Sequence, residues 1–197
     1  SLPFESVFIK GLADDGGLFL PEKNYKFDEK DLSKLQSMSY YELATEIVYK
    51  FTGDFIEKDN LYELVKKSYS SFRSEEVVKL RKVGNFNILE LFHGPTLAFK
   101  DIAMQLIGNF YEYYLSKNEN FINIIVATSG DTGAAAIDAI KRKKNLNIFV
   151  LHPHNRISSV QRKIMCTVKE KNVFNIAIKG NFDAVSYTHL RAHETRF

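Results

Sequence analysis

Two stretches of this sequence hold residues in an order that could do chemistry. The first is His93-Gly94-Pro95-Thr96-Leu97-Ala98-Phe99-Lys100-Asp101. It follows a short apolar run, Ile88 to Phe92, and opens a helical pattern, Phe99 to Leu115. Thr96 has the residue type of a helix N-cap, which puts Lys100 in the first helical turns. There the positive end of the helix macrodipole repels a cation and favours the neutral amine. A neutral lysine amine is a nucleophile toward carbonyl carbon and a carrier of protons. Asp101 is expected to offset that repulsion in part. Taken alone, a lysine at a helix start is more often an ordinary surface residue.

The second stretch is Thr128-Ser129-Gly130-Asp131-Thr132-Gly133, between a strand pattern, Ile122 to Ala127, and a helical one, Asp131 to Arg142. Backbone N–H groups and hydroxyls at a helix start can cradle an anion. The loop is neither a P-loop, since no Gly-Lys-Ser/Thr follows, nor the G-x-G-x-x-G dinucleotide fingerprint. Taken alone, it fits a capped helix with glycines for close packing equally well. His93 has no second His, Cys or carboxylate at ligand spacing, and His152 and His154 read as surface or hydrogen-bonded residues, so no metal site is expected.

The elements that must position these loops change character along the chain. Residues 1–80 look helical. Ser39-Tyr40-Tyr41-Glu42 has the form of a capping box, with Leu43, Ile47, Val48 and Phe51 following at helical spacing and Gly53 as the stop. A second helical pattern runs from Glu57 to Phe72, with Leu61, Leu64, Val65 and Tyr69 on one face. Gly11 to Pro21 reads as a loop. Beyond residue 80, strand patterns at 88–92, 122–127, 147–151 and 173–178 alternate with helical ones at 99–115, 131–142 and 158–169. That alternation predicts an α/β fold, a parallel sheet with helices on both faces, preceded by a mainly helical domain. Ligands of such sheets bind beyond the carboxyl ends of the strands, where the two loops fall. The expected division is 1–80, helical; 81–183, the first part of an α/β domain; and 184–197, a tail.

Composition excludes several classes. The net charge of +3 over 197 residues is small, and the densest basic cluster, Lys141 to Lys144, ends a helix. It reads as a solvated helix end and no nucleic-acid partner is expected. Cys166 is the single cysteine, so no internal disulfide forms, which fits a reducing compartment; it reads as a packed helix residue. No apolar run approaches a membrane span and no signal peptide is visible, so a cytoplasmic protein with no membrane partner is expected. The chain starts at Ser1 rather than Met, so a targeting segment could precede it.

Three segments together resemble threonine synthase, a family of fold type II pyridoxal-phosphate enzymes. Gly11 to Glu22, G-L-A-D-D-G-G-L-F-L-P-E, is similar to the family's N-terminal signature, with Asp14 in place of the usual proline. His93 to Asp101 matches the family's lysine motif, and Ala127 to Ala135, A-T-S-G-D-T-G-A-A, matches its substrate loop. Arg156-Ile157-Ser158-Ser159-Val160-Gln161 is a looser fourth match, with Ser159 for the usual proline and Ile164 and Cys166 departing further on. The resemblance covers residues 1–183. Residues 185–195 have no counterpart in it, and 184–197 read as a non-native tail.

The resemblance implies a carbon–oxygen lyase that converts O-phospho-L-homoserine and water to L-threonine and phosphate. Lys100 would hold pyridoxal 5′-phosphate covalently and then move protons. Phe99 and Asp131 would flank the cofactor. Ser129, Gly130, Asp131, Thr132 and Gly133, with Arg156 and Ser158, would hold the substrate. The cofactor's phosphate cradle and ring-nitrogen partner are expected further along a longer chain. The alternatives are a threonine synthase-like phospho-lyase that releases a 2-keto acid, another type II enzyme such as a serine/threonine dehydratase, or an inert fragment. The G-L-A-x-D-G-G segment argues against the dehydratase. The chain would act as a monomer or homodimer.

Overall fold

The structure, a computed structural model, describes residues 1–181, so the expectation for residues 184–197 lies outside it. The chain forms two compact units, Ser1–Lys67 and Ser68 onward.

In the first unit α1 (Phe4–Lys10), α2 (Glu29–Gln36) and α3 (Tyr40–Thr52) are followed by α4 (Lys58–Tyr69), which runs into the second. The predicted capping box of α3 is present: Ser39 and Glu42 exchange backbone-to-side-chain bonds. The Ser39 bonds hold the Glu42 carboxyl below its ordinary range. An unforeseen second box, Asp28 with Asp31, starts α2. The stripe predicted for α4 is buried in full, at Leu61, Leu64, Val65 and Tyr69. That of α3 is not: Phe51 is exposed, while Thr45 and Thr52 are buried. Each threonine hydroxyl donates to the carbonyl four residues back, Tyr41 O and Val48 O, and so enters an apolar surface already satisfied.

The second unit begins with β1 (Lys79–Val83) and β2 (Phe86–Glu90), an antiparallel hairpin in which Val83 faces Phe86. Gly84 has φ +59° at the first central position of the two-residue turn, where a type II′ turn demands glycine. The apolar run predicted as a strand of the parallel sheet is therefore shifted to Phe86–Glu90 and paired locally. Gly84-Asn85 was the available signal for it.

The parallel sheet is β3 (Ile122–Ala127), β4 (Leu146–Pro153) and β5 (Val173–Ile178), in that spatial order. Its crossovers run through α6 (Asp131–Ile140) and α7 (Ser159–Cys166), and α5 (Lys100–Lys117) packs along α6. Two right-handed crossovers in a row put α6 and α7 on one face. There Ile137, Leu146, Ile148, Val150 and Met165 are fully buried. On the other face Phe149 stacks on Phe174 at 4.7 Å between ring centres, and Ile125 and Ile176 are exposed. Cys166 is exposed, contrary to its reading as a packed residue, because its neighbour Met165 takes the buried position.

The basic cluster is not a freely solvated helix end. Arg142 pairs with Glu170 at 2.7 Å, and Lys143 reaches Asn109 at 2.6 Å and Glu112 at 2.8 Å. Lys141 pairs with Asp138. The connection from α6 to β4 is also held by a distant side chain. The Asn172 amide lies 3.1, 3.3 and 2.9 Å from the carbonyls of Ile140, Lys143 and Leu146. Its oxygen accepts from Arg142 N–H at 3.2 Å. Among the described residues no helix is long and apolar enough to cross a membrane.

Candidate active site

Lys100 is the first residue of α5, and Phe99 occupies the N-cap with no side-chain bond. Thr96 does not cap the helix. Its N–H donates to Asp101 Oδ2 at 2.8 Å and its hydroxyl to Oδ1 at 2.7 Å. Asp101 is 0% exposed. Its carboxylate is thus committed to the loop below it rather than to Lys100, as the sequence had suggested. Burial pushes the Asp101 carboxyl above its ordinary range, against the pull of the Thr96 and Ala98 bonds. Gly94 closes the same knot: a Cβ there would lie 2.4 Å from Asp101 Oδ2. Leu97 sits at φ +62°, a left-handed conformation uncommon for a side chain of this kind. Such departures cluster where the surroundings fix a backbone for a purpose.

The result is a rigid loop with a half-exposed lysine at its end. The Lys100 amine lies 4.6 Å from the centre of the Phe99 ring and makes no ion pair among the described residues.

The second loop has its own internal anchor, Thr128, 1% exposed. Its hydroxyl oxygen accepts from the N–H groups of Gly130 and Gly133, each at 2.9 Å. Two of the five N–H groups expected to meet a ligand are therefore already satisfied. Those of Ser129, Asp131 and Thr132 have no acceptor among the described residues. Gly130 has φ +146°, and a Cβ on Gly133 would lie 2.5 Å from Thr128 Cγ2. Both glycines are required by this geometry.

The two loops open on the same side. Gln105 bonds Asp138 at 2.8 Å, and Gly108 packs against Ala139. Glu112 pairs with Lys143. These contacts ascend together along both helices, so α5 and α6 run parallel. Their starts, which carry Lys100 and Asp131–Gly133, share the end of the sheet where β3 delivers its loop.

The fourth segment joins the second loop through Gln161, whose amide donates to Asp131 Oδ1 at 2.5 Å. Ser158 caps α7 by accepting from Gln161 N–H at 3.2 Å. Arg156 is exposed and makes no ion pair among the described residues. His154 is exposed, while His152 is buried with no partner for Nδ1 among the described residues. His93 bonds Glu90 at 2.8 Å, and Glu90 also pairs with Arg81. A cavity of about 400 Å³ belongs to the first unit, lined by Leu20, Tyr25, Phe27, Ile47 and Lys50 among others, and includes none of the predicted site residues.

Sequence reasoning passed over three residues that shape the site: Thr128, Asp101 as a loop anchor, and Gln161. Thr128 had a signal, a hydroxyl two residues before a loop glycine, the spacing of a side-chain turn. Gln161 had one too, as the last residue of the fourth segment, but its role was hidden because its partner lies 30 residues away.

The chain is also similar to known proteins. A family model described as the N terminus of threonine synthase matches residues 1–69. The chain is 44% identical over 184 residues to threonine synthase of Pseudomonas aeruginosa, covering 93% of this chain and 39% of that protein. It is 41% identical to threonine synthase-like 2 of Pongo abelii over 182 residues, 91% of this chain and 38% of that one. The crystal structure of a PLP-bound threonine synthase from Brucella melitensis superposes with a TM-score of 0.90 at 39% identity, covering 99% of this chain and 42% of the other. The chain thus spans about two fifths of the length of the curated relatives it matches.

Proposed function

We infer that the chain belongs to the threonine synthase family, as the N-terminal part of such an enzyme, and propose that the whole protein converts O-phospho-L-homoserine and water to L-threonine and phosphate. The observation that carries the reading is the juxtaposition, on one side of α5 and α6, of a lysine amine and helix-terminal N–H groups that have no ion-pair or acceptor partner among the described residues. The first suits a carbonyl-bearing cofactor and the second a substrate carboxylate. The proposed division into a helical N-terminal domain, residues 1–80, and the start of a cofactor domain, 81–183, goes with this reading.

The residues present fit pyridoxal 5′-phosphate. Lys100 would hold it covalently through Nζ, with Phe99 and Asp131 beside it, and when bound it supplies an electron sink for carbanions on the substrate. The chain's own residues do the rest. Ser129, Asp131 and Thr132 present N–H groups to the substrate carboxylate, Gly130 and Gly133 let the backbone approach, and Arg156 and Ser158 border the loop. Released by the substrate amine, Lys100 Nζ would take a proton from the α-carbon and carry protons between neighbouring carbons. Phosphate leaves from the γ-carbon, and water adds at the β-carbon. Positioning of this kind is worth about 7–11 kcal/mol in well-aligned systems. Residues 1–197 alone lack the other wall of such a site and are proposed to be inactive. A cytoplasmic location fits the single exposed cysteine.

A second reading that shares these motifs is phosphate elimination with release of a 2-keto acid. Product analysis of the full-length enzyme separates the two: O-phospho-L-homoserine yields phosphate with threonine in the first case and phosphate with a keto acid in the second. Borohydride reduction followed by peptide mapping must label Lys100. A label on any other lysine overturns the assignment.

A further inference from the structure

We propose that Gln161 is a positioning residue that keeps the Asp131 carboxylate off the anion cradle of the second loop. The inference rests on the proposed function, because it concerns how that cradle stays open to the substrate carboxylate.

Asp131 is the first residue of α6. A carboxylate there is drawn to the positive helix start and can satisfy its own first-turn N–H groups. Those are the groups left open at Ser129, Asp131 and Thr132. An unrestrained Asp131 therefore competes with an incoming carboxylate in two ways, by occupying donors and by like charge. The structure shows the restraint. Gln161 Nε2 donates to Asp131 Oδ1 at 2.5 Å. The amide is itself held, because Ser158 Oγ donates to Gln161 Oε1 at 3.0 Å.

The backbone is shaped for this contact. A Cβ on Gly130 would lie 2.3 Å from Gln161 Oε1, so the amide lies directly over the loop. Capping does not account for it: α7 is capped by Ser158 Oγ, which receives the Gln161 backbone N–H and needs no amide there. The side-chain amide is spent on another element, 30 residues earlier in sequence.

The test uses the full-length enzyme and O-phospho-L-homoserine. Gln161→Glu keeps the size of the side chain and its packing on Gly130 but loses the donor. We expect KM to rise about tenfold or more, the loss of one hydrogen bond to a charged group, with kcat changed much less. Cofactor absorbance and the borohydride label on Lys100 stay in place. Gln161→Ala behaves likewise. In an Asp131→Ala background, Gln161→Ala changes KM by less than about twofold, since the competing carboxylate is gone. Two results overturn the proposal: a Gln161→Glu enzyme with the parent KM, or an equal Gln161→Ala penalty with and without Asp131. If the parent enzyme neither labels at Lys100 nor consumes O-phospho-L-homoserine, it is the functional reading that fails, and L-threonine binding monitored by isothermal calorimetry becomes the comparison that keeps the Gln161 proposal testable.

Discussion

Replacing Asp101 separates hydrogen bonding from charge at the base of the lysine loop. The carboxylate is 0% exposed and accepts from Thr96 N–H at 2.8 Å and Thr96 Oγ1 at 2.7 Å. Hydrogen bonds to a charged group contribute about 1.5–3 kcal/mol each, so the pair is worth about 3–6 kcal/mol gross. Two effects reduce this. Thr96 is only half-buried and water can replace part of what is lost, and removing the carboxylate ends the cost of burying it. We expect Asp101→Ala to destabilise by about 2–3 kcal/mol. Asp101→Asn retains an acceptor for the Thr96 N–H and offers a donor to its hydroxyl, and should cost less than about 1 kcal/mol. The two also differ in pH response. Burial raises the folded-state pKa of Asp101 above the ordinary aspartate value. The folded form therefore binds its proton more tightly, and the stability from this group is full below that value and is lost as pH rises through the folded-state pKa. Asp101→Asn should flatten that slope. Urea unfolding of the full-length protein at a series of pH values measures both quantities. An Ala variant as stable as the parent, or an Asn variant as damaged as the Ala variant, would refute the account of the loop.

Other outcomes follow from the same geometry. Gly133→Ala places a methyl 2.5 Å from Thr128 Cγ2 and 2.9 Å from Met165 Sδ, and should lower stability by about 1–3 kcal/mol in thermal unfolding. Thr132→Ala in the full-length enzyme should raise KM or lower kcat while the cofactor absorbance persists; loss of cofactor with unchanged substrate kinetics would contradict a substrate role. Residues 1–197 expressed alone with pyridoxal phosphate and O-phospho-L-homoserine should release no threonine or phosphate, and turnover near that of a full-length relative would show that the rest of such a protein is dispensable.

What could be read from the sequence was local. Strands Ile122–Ala127 and Val173–Ile178 were predicted at their observed bounds, because apolar runs between polar turns leave little choice. The capping box of α3 is a four-residue pattern and formed as expected. The β1–β2 pairing was missed because Lys79 to Val83 alternates weakly and is exposed apart from its first residue. Thr96 was misassigned because a threonine before a helix resembles a cap, whereas here it binds the buried carboxylate five residues on. The candidate site followed the same rule. Lys100 and the Ser129–Gly133 loop were visible as motifs, and Thr128 and Asp101 anchor those loops through bonds only two to five residues away, whereas Gln161 acts on Asp131 across 30 residues.

The Asn172 side chain has a consequence for how the chain is made. It binds carbonyls 32, 29 and 26 residues before it. The exit from α6 therefore stays unfastened while the whole of β4 and α7 is being synthesised, at about 5–20 residues per second, for roughly two to six seconds. During that interval Arg142 and Asn145, with φ of 68° and 58°, must hold their unfavourable backbone without the amide that later rewards it. The first strand–helix–strand unit is complete in sequence at Pro153 but gains its fastener only as β5 begins, so a nascent chain stalled between the two would carry a native-like sheet with a loose hinge at its centre.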